Sequence, residues 1–188
     1  MTAGSVLADI GTDHAYIPIW LAENGRIRGA VAMDVNCGPL ERAEENIREH
    51  GLEDRIFTRL SDGFAALEPG EADCAVIAGM GGGLTVRILK EGMGLVRTLK
   101  ECILQPQSEI EKVRAFLLEE GFLFISEDMV EEDGKYYPMM KLACPGRKER
   151  LITDEDPPAG DRRENDWDET ELLYGRYLLR DRNPVLRQ

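Results

Sequence analysis

The sequence is poor in the residues that build metal sites and disulfide frameworks. It has four cysteines and two histidines among 188 residues, and no two cysteines form a Cys-x-x-Cys pair. A zinc site is therefore not expected, and the cysteines are expected to be the reduced thiols of a cytoplasmic protein. No apolar run approaches the ~20 residues of a membrane span, and no signal-peptide pattern is seen at the N-terminus. We therefore expect neither a metal nor a membrane as partner.

Basic residues are in the minority, with 23 Lys and Arg against 36 Asp and Glu and a formal net charge of −13. This argues against a nonspecific nucleic-acid binder, because such binding depends on neutralising phosphates. It leaves open an enzyme that holds RNA on a local basic patch, since much of the acid lies in residues 127–133 and 154–171. The length and the 43% of hydrophobic residues suit one globular domain with a good core.

Residues 6–142 alternate strand-like and helix-like segments, which predicts an α/β fold with a mainly parallel sheet. We predict five βα units followed by an antiparallel hairpin that turns at Asp133-Gly134. A terminal hairpin at one sheet edge is typical of the class I methyltransferase fold, a Rossmann-like sheet. The predicted strands are 6–10, 29–35, 56–60, 74–78, 102–105, 123–131 and 136–143, and the predicted helices are 16–23, 39–50, 84–90 and 109–119.

The first predicted strand ends in Asp9-Ile10-Gly11-Thr12-Asp13 and leads at once into a helix. Gly11 lets the backbone turn tightly and approach a ligand, and the helix N-terminus presents free N–H groups. A dinucleotide loop needs Gly-x-Gly-x-x-Gly, whereas Asp13 stands at the second glycine position. Its carboxylate would repel a pyrophosphate and attract the sulfonium and ammonium groups of S-adenosylmethionine. The alternative is a simple strand-to-helix turn with a solvated Asp13.

The second and third predicted strands end in acids suited to an adenosine. Asp34 lies about 20 residues past the loop, where a carboxylate can accept bonds from both ribose hydroxyls. Asp62 could accept the adenine amine while the backbone near Gly63 reads ring nitrogens. The alternatives are a strand-terminating turn at Asp34 and an Asx turn at Asp62.

The fourth and fifth predicted strands end in glycines and amides. Residues 78–82, Ala-Gly-Met-Gly-Gly, offer no side-chain proton acceptor, so the backbone at Gly79 would approach cofactor or target unless this is only a flexible turn. Met80 is expected to pack. The amides of Gln105-Pro106-Gln107 could contact a base edge or be surface polar groups. His14 could accept a proton near neutral pH or orient Asp13.

Together these motifs resemble the bacterial tRNA (adenine-N1)-methyltransferases that modify adenine 22, the TrmK family. The resemblance covers most of the chain and follows one order along it. It rests on residues 9–16, 34–40, 61–63, 78–82, 104–106 and 171–175 and on Asn183-Pro184.

The resemblance implies a class I S-adenosylmethionine-dependent methyltransferase that acts on tRNA. Asp9, Gly11 and Asp13 would line the methionine end of the cofactor, with Asp34 at the ribose and Asp62 at the adenine. The mouth through which the methyl group passes would be formed by Gly79, Met80, Gln105 and Pro106.

The sequence departs from the family pattern at several places. Gln107 stands where the family usually has Asn after Leu-Gln-Pro, the helical segment before the first strand is almost absent, and residues 154–163 are an atypical loop. We expect residues 1–145 to form the cofactor-binding domain and residues 146–188 to be a charged linker and the start of a C-terminal helical region. That region is expected to be truncated, because the family's coiled-coil-like domain, thought to help hold tRNA, would begin about where the chain ends.

Two other functions stay open on the sequence alone. The acidic charge favours a class I methyltransferase acting on a small molecule or a protein, and a cofactor-binding module without turnover is also consistent with the motifs. Binding of tRNA would require basic residues clustered beside the pocket. The candidates are Arg87, Lys90, Arg97 and Lys100, or Arg147, Lys148 and Arg150.

Overall fold

Seven strands form a single sheet in the order β3-β2-β1-β4-β5-β7-β6. The structure is a computed structural model that describes residues 1–145 and 166–187. The strands are β1 (Ser5–Ile10), β2 (Ile27–Asp34), β3 (Ile56–Leu60), β4 (Cys74–Met80), β5 (Glu101–Pro106), β6 (Leu123–Glu132) and β7 (Lys135–Ala143). The helices are α1 (Tyr16–Glu23), α2 (Cys37–Glu49), α3 (Gly82–Glu91), α4 (Met93–Val96), α5 (Ile110–Glu119), α6 (Glu169–Tyr174) and α7 (Arg176–Arg180), followed by a 3-10 turn (Val185–Arg187).

The first five strands are mutually parallel, and β7 lies antiparallel between β5 and β6. The predicted class I methyltransferase sheet with its C-terminal hairpin is thereby confirmed. The chain runs outward from β1 through β2 to β3 and then crosses back to β4 on the other side of β1. This change of direction is the switch point at which open α/β sheets bind ligands, beyond the carboxyl ends of the strands.

One predicted unit differs from the structure. The connection between β3 and β4 contains no helix, so there are four βα units rather than the five predicted. Gly63 and Gly70 adopt positive φ angles in this connection, and Pro69 precedes the second of them. Residues of this kind favour turns over a helix, and the stretch between them is short. The short helix α4 was not predicted.

The core lies on both faces of the sheet because the central parallel strands are apolar on both sides. Helix α2 shows how a helix covers one face: Leu40, Ala43 and Ile47 are spaced three and four residues apart and are all buried. Three of the four free cysteines are buried in this core, and Cys37 is exposed. Within residues 1–145 and 166–187, no helix has the length and apolar character needed to span a bilayer.

Residues 166–187 pack against the hairpin side of the sheet. The Trp167 ring lies 4.4 Å from the Phe124 ring, and the Tyr177 hydroxyl donates a 2.7 Å hydrogen bond to the Phe124 carbonyl. The predicted division into a domain at 1–145 and a linker with a helical region at 146–188 stays a prediction. The predicted loop at 154–163 lies outside the described residues.

A buried ion pair joins this segment to the sheet. The Arg114 side chain, 1% exposed, donates a 2.9 Å hydrogen bond to the fully buried Glu127 carboxylate. Arg114 also donates to the carbonyl groups of Leu172 and Leu173, at 2.8 and 2.9 Å. Burial raises the pKa of Glu127 in spite of this partner. The Glu127 carboxylate therefore depends on Arg114 to remain charged in these apolar surroundings.

The variant Arg114→Met should lower the free energy of unfolding by about 3 kcal/mol, because it leaves Glu127 buried without its partner. The loss should be smaller near about pH 5 than near about pH 8, since the raised pKa of Glu127 rises further and the carboxyl becomes neutral in the folded state. Urea denaturation at the two pH values measures both effects. Arg97→Met, at an exposed ion pair with Glu120, is the matched control. An equal loss at both pH values would contradict this account.

Candidate functional site

The loop after β1 has an unusual backbone that two hydrogen bonds hold in place. The N–H groups of Gly11 and Thr12 both donate to the Met33 carbonyl on β2, each at 2.8 Å. Gly11 has φ +75°, and His14 and Ala15 also adopt positive φ values of 60° and 55°. Left-handed conformations cost energy for residues other than glycine and are concentrated at functional sites. The loop is thus a fixed turn at the carboxyl edge of the sheet.

Met80 covers this loop from the neighbouring strand. A side-chain carbon added at Gly11 would collide with the Met80 methyl group, the end of a flexible side chain that would have to shift, and the φ of +75° favours glycine at this position. Met80 is half-buried and packs against the core. The methionine was expected to pack, and its packing links the end of β4 to the loop after β1.

Asp9 and Thr12 form the buried floor of a cleft beside the loop. Asp9 is 5% exposed, and burial raises its pKa to about 6 because water no longer stabilises the carboxylate. The hydroxyl of Thr12 is buried beside the Asp9 carboxylate, where it acts to lower the pKa of Asp9 against the larger effect of burial, and it makes no hydrogen bond to any other described residue. The cleft has a volume of about 330 Å³ and is lined by Asp9, Gly11, Thr12, Asp13, Tyr16, Ile17, Ala78, Gly79 and Gln105.

Asp13 lies exposed at the rim of this cleft. Its Oδ1 atom is 3.3 Å from the Arg42 guanidinium on α2 and 3.4 Å from Nε2 of His14. The His14 ring stacks on the exposed ring of Tyr16, with 5.1 Å between centroids. His14 therefore lies against Asp13 and Tyr16, and its ring does not line the cleft.

Asp34 ends β2 one strand away from the loop. One of its carboxylate oxygens accepts a 2.7 Å hydrogen bond from the Asn36 N–H, so the turn considered from the sequence does form. Within the described part of the chain no donor bonds the other oxygen. The turn fixes the side chain and leaves half of the carboxylate for a ligand.

Asp62 follows β3 and lines a second cleft, of about 400 Å³, together with Gly63, Ile88 and Glu91. Both of its oxygens accept hydrogen bonds from Arg87 on α3, at 3.0 and 3.4 Å. Gly63 has φ +56°, and a Cβ there would lie 3.0 Å from the Ile88 side chain. Backbone and apolar side chain thus approach closely beside the carboxylate.

The ends of β4 and β5 are joined to each other by one hydrogen bond to a side chain and one between backbone groups. The Gly79 N–H donates to Oε1 of Gln105 at 3.0 Å, and the Gln107 N–H donates to the Met80 carbonyl at 2.8 Å. Pro106 is buried and Gln107 is exposed. The structure therefore brings the predicted glycine and amide residues together. The Gln105 side-chain oxygen is already used, because it accepts the hydrogen bond from Gly79.

The strand order places these side chains in one row. Asp62 follows the end of β3, Asp34 ends β2, and Asp9 is the penultimate residue of β1. Gly79 and Gln105 lie near the ends of β4 and β5, and these five strands are consecutive neighbours in the sheet. Neighbouring strands are about 4.8 Å apart, so the row from β3 to β1 spans roughly 10 Å. The charged groups of the row are carboxylates, hydrogen-bond acceptors that suit an extended ligand with hydroxyl groups, an amine and positive charge.

Sequence reasoning missed several residues that hold this row in place. Arg42 and Arg87 pair with its acids, Asn46 donates a 2.8 Å hydrogen bond to the His14 carbonyl, and Ser108 accepts bonds from the Gly82 N–H at 3.1 and 3.3 Å. Each reaches the site from a later element, so local patterns carry no signal for them. Thr12 lay within the recognised loop and could have been singled out there.

The predicted basic patch is only partly described. Arg87, Arg97 and Lys100 pair with acids, at 3.0 Å to Asp62, 3.6 Å to Glu120 and 2.8 Å to Asp73. Lys90 lies 5.3 Å over the Phe116 ring. The other candidates, Arg147, Lys148 and Arg150, lie outside the described residues. Among the described residues, no group of three or more His, Cys, Asp or Glu could hold a metal ion.

Comparison with known proteins identifies the family of this chain. The methyltransferase domain family matches residues 1–140. The tRNA (adenine(22)-N(1))-methyltransferase of Bacillus subtilis (strain 168) is 34% identical over 182 residues, which are 97% of this chain and 71% of that protein.

Solved structures give the same result. The B. subtilis M1A22 tRNA methyltransferase TrmK matches with a TM-score of 0.79 and 32% identity, over 98% of this chain and 74% of that one. Streptococcus pneumoniae Sp1610, solved in complex with S-adenosyl-L-methionine, matches with a TM-score of 0.84 and 34% identity. This match covers 98% of this chain and 78% of that one. The resemblance seen in the sequence motifs is confirmed: this chain belongs to the TrmK family of bacterial tRNA (adenine(22)-N(1))-methyltransferases.

Proposed function

We propose that this chain transfers the methyl group of S-adenosylmethionine to N1 of adenine 22 in tRNA. The row of side chains along the sheet edge carries this proposal. Taken in order from β3 to β5, its residues suit the adenine, the ribose and the methionine part of the cofactor, and then the target base. The family supports it: the B. subtilis relative is named for this activity, and Sp1610 binds S-adenosyl-L-methionine. A tRNA substrate also favours a cytoplasmic location.

The cofactor-binding residues follow from this order. Asp9 and Asp13 attract the ammonium and sulfonium groups, and the buried Thr12 hydroxyl offers a further polar contact. Asp34 accepts from the ribose hydroxyls with its unoccupied oxygen, and Asp62 with Gly63 holds the adenine. Gly11, Gly79 and Met80 form the wall against which the methionine part lies.

Gln105, Pro106 and Gln107 form the mouth that receives the target base. The Gln105 oxygen fixes Gly79, and one N–H of its Nε2 donates to the Pro106 carbonyl at 3.4 Å. The second N–H of Nε2 and the exposed Gln107 amide remain for the edge of an adenine. The base must be unpaired or flipped out, because N1 is engaged in Watson–Crick pairing. Buried Pro106 stiffens the strand exit that carries both amides.

No proton has to be removed for this reaction. Adenine N1 has an in-plane lone pair that attacks the methyl group in line, and the methylated base carries a positive charge. Such a transfer depends on positioning rather than on acid–base catalysis. This explains why residues 78–82 offer no acidic or basic side chain, and it assigns His14 to orienting Asp13, from which it lies 3.4 Å.

The direct test is incorporation of a labelled methyl group into unmodified tRNA. We expect methylation of a tRNA with adenine at position 22 and none when that adenine is replaced by guanine. Methylation that persists after the replacement would reject adenine 22 as target. Tight cofactor binding without methylation of any tRNA would instead support a cofactor-binding module, and transfer to a protein or small molecule would support the remaining alternative.

The affinity for S-adenosylmethionine should weaken as the pH falls through about 6, the raised pKa of Asp9. Protonation of Asp9 removes a charge that attracts the ligand, so Kd should rise roughly tenfold between about pH 7 and about pH 5. Asp9→Asn should bind weakly at both values, with this dependence lost. Calorimetric titration at the two pH values measures the Kd of each protein for S-adenosylmethionine. Asp181→Asn, at an exposed ion pair, is the control and should retain the wild-type profile.

Gln105→Ala should lower kcat by about 10- to 100-fold, because it frees Gly79 and removes an amide from the mouth. The affinity for S-adenosylmethionine should fall much less than kcat, since the acids of the row are untouched and only the Gly79 wall is freed. Single-turnover methylation of tRNA together with calorimetry separates the two effects. Asn24→Ala, which removes an exposed side-chain amide on the Trp20 carbonyl, serves as control. Full turnover by the Gln105 variant would refute the role of this amide.

A further inference from the structure

Arg87 connects helix α3 to the acid at the adenine end of the row. Its Nη2 donates to Oδ1 of Asp62 at 3.0 Å, and its Nη1 donates to Oδ2 at 3.4 Å. Nη1 also donates to Glu91 at 3.1 Å, one turn further along the same helix. The guanidinium is therefore held between two carboxylates, one of which ends a strand of the sheet.

This pair lies beside the larger of the two clefts. Asp62 and Glu91 both line that cleft, whose volume is about 400 Å³, and the Ile88 side chain forms an apolar wall next to Gly63. Helix α3 begins at Gly82 in the glycine turn of the mouth. Arg87 thus belongs to an element that borders both the mouth and the adenine end.

The chemistry of the pair leaves Asp62 able to bind a ligand. A carboxylate has about four lone-pair positions, and a bidentate guanidinium uses one on each oxygen. An amine can therefore be accepted by Asp62 while Arg87 stays in place. Without Arg87, a half-exposed aspartate would sample several rotamers and would have to be ordered when the ligand binds.

We propose that Arg87 is a positioning residue for the cofactor: it holds the Asp62 carboxylate in the orientation that accepts the exocyclic amine of adenine. This rests on the proposed binding of S-adenosylmethionine. Exposed ion pairs contribute little to folding stability. The Arg87–Asp62 pair instead favours ligand binding, because the Asp62 carboxylate is already oriented before the ligand arrives. The charge of Arg87 is already compensated by two carboxylates, which disfavours its use as a phosphate contact for tRNA.

The test compares two ligands that differ at one group. One is S-adenosylhomocysteine, and the other is its analogue with hydrogen in place of the 6-amino group. Arg87→Met should raise the Kd of S-adenosylhomocysteine about fivefold, the effect of freeing one side chain, and leave that of the analogue unchanged. Arg87→Lys, which keeps the charge but not the bidentate geometry, should fall between wild type and Arg87→Met.

A double variant separates an effect through Asp62 from a general disturbance of the fold by the Arg87 substitution. If Arg87 acts through Asp62, then Arg87→Met combined with Asp62→Asn should bind S-adenosylhomocysteine no more weakly than Asp62→Asn alone. In methylation assays Arg87→Met should raise KM for the cofactor and leave kcat and KM for tRNA unchanged. Arg28→Met is the matched control, since Arg28 pairs with Asp73 beside the opposite ends of the strands.

Three results would overturn the inference. Tighter binding by Arg87→Met would show that Arg87 competes with the ligand for Asp62. Equal weakening of both ligands would show that the amine is not involved. A raised KM for tRNA with unchanged cofactor affinity would make Arg87 a tRNA contact. These results are distinct from failure of the proposed function, which would appear as a wild-type protein that binds neither cofactor nor product.

Discussion

The Met33 carbonyl, which accepts hydrogen bonds from the N–H groups of both Gly11 and Thr12, is the constraint on which the site depends. These bonds attach the loop after β1 to the end of β2, so the loop cannot relax away from the sheet. They hold three residues with positive φ, of which only Gly11 adopts that conformation without cost. The turn places Asp9 below the loop and Asp13 at its rim. Both carboxylates face the same cleft as a consequence.

The remaining acids owe their position to sheet topology. Because β1 is central and the chain runs outward through β2 to β3, the acids at these strand ends form a row without any direct contact among them. The crossing back to β4 then brings Gly79 and Gln105 to the other side of the loop. A ligand laid along the row meets a fixed sequence of chemical groups. From two helices, Arg87 pairs with Asp62 in this row and Arg42 pairs with Asp13 at the rim of the cleft, so each of these exposed carboxylates has a cationic partner.

Most of the fold and the composition of the row could be predicted from the sequence because both depend on local patterns. Apolar runs that end in an acid or glycine predicted the strand ends, and Asp133-Gly134 predicted the hairpin. The count of five βα units was one too high: none of the four predicted helices lies between β3 and β4, and the structure has none there either. From the sequence, Arg87 is predicted only as a candidate for a tRNA-binding basic patch, because its pairing with Asp62 joins residues 25 positions apart. Such long-range contacts leave no periodic signal.

The acidic character of the site suits the movement of charge in the proposed reaction. The sulfonium carries a positive charge before transfer, and the methylated adenine carries it afterwards, so the charge moves a short distance along the same edge. Asp13 lines the same cleft as Gly79 and Gln105, and these two residues add only uncharged groups. A basic residue in the mouth would repel the charged base that forms there. Residues 78–82 have no acidic or basic side chain, and the loop after β1 carries carboxylates. Both features therefore favour the positive charge that the reaction moves along this edge.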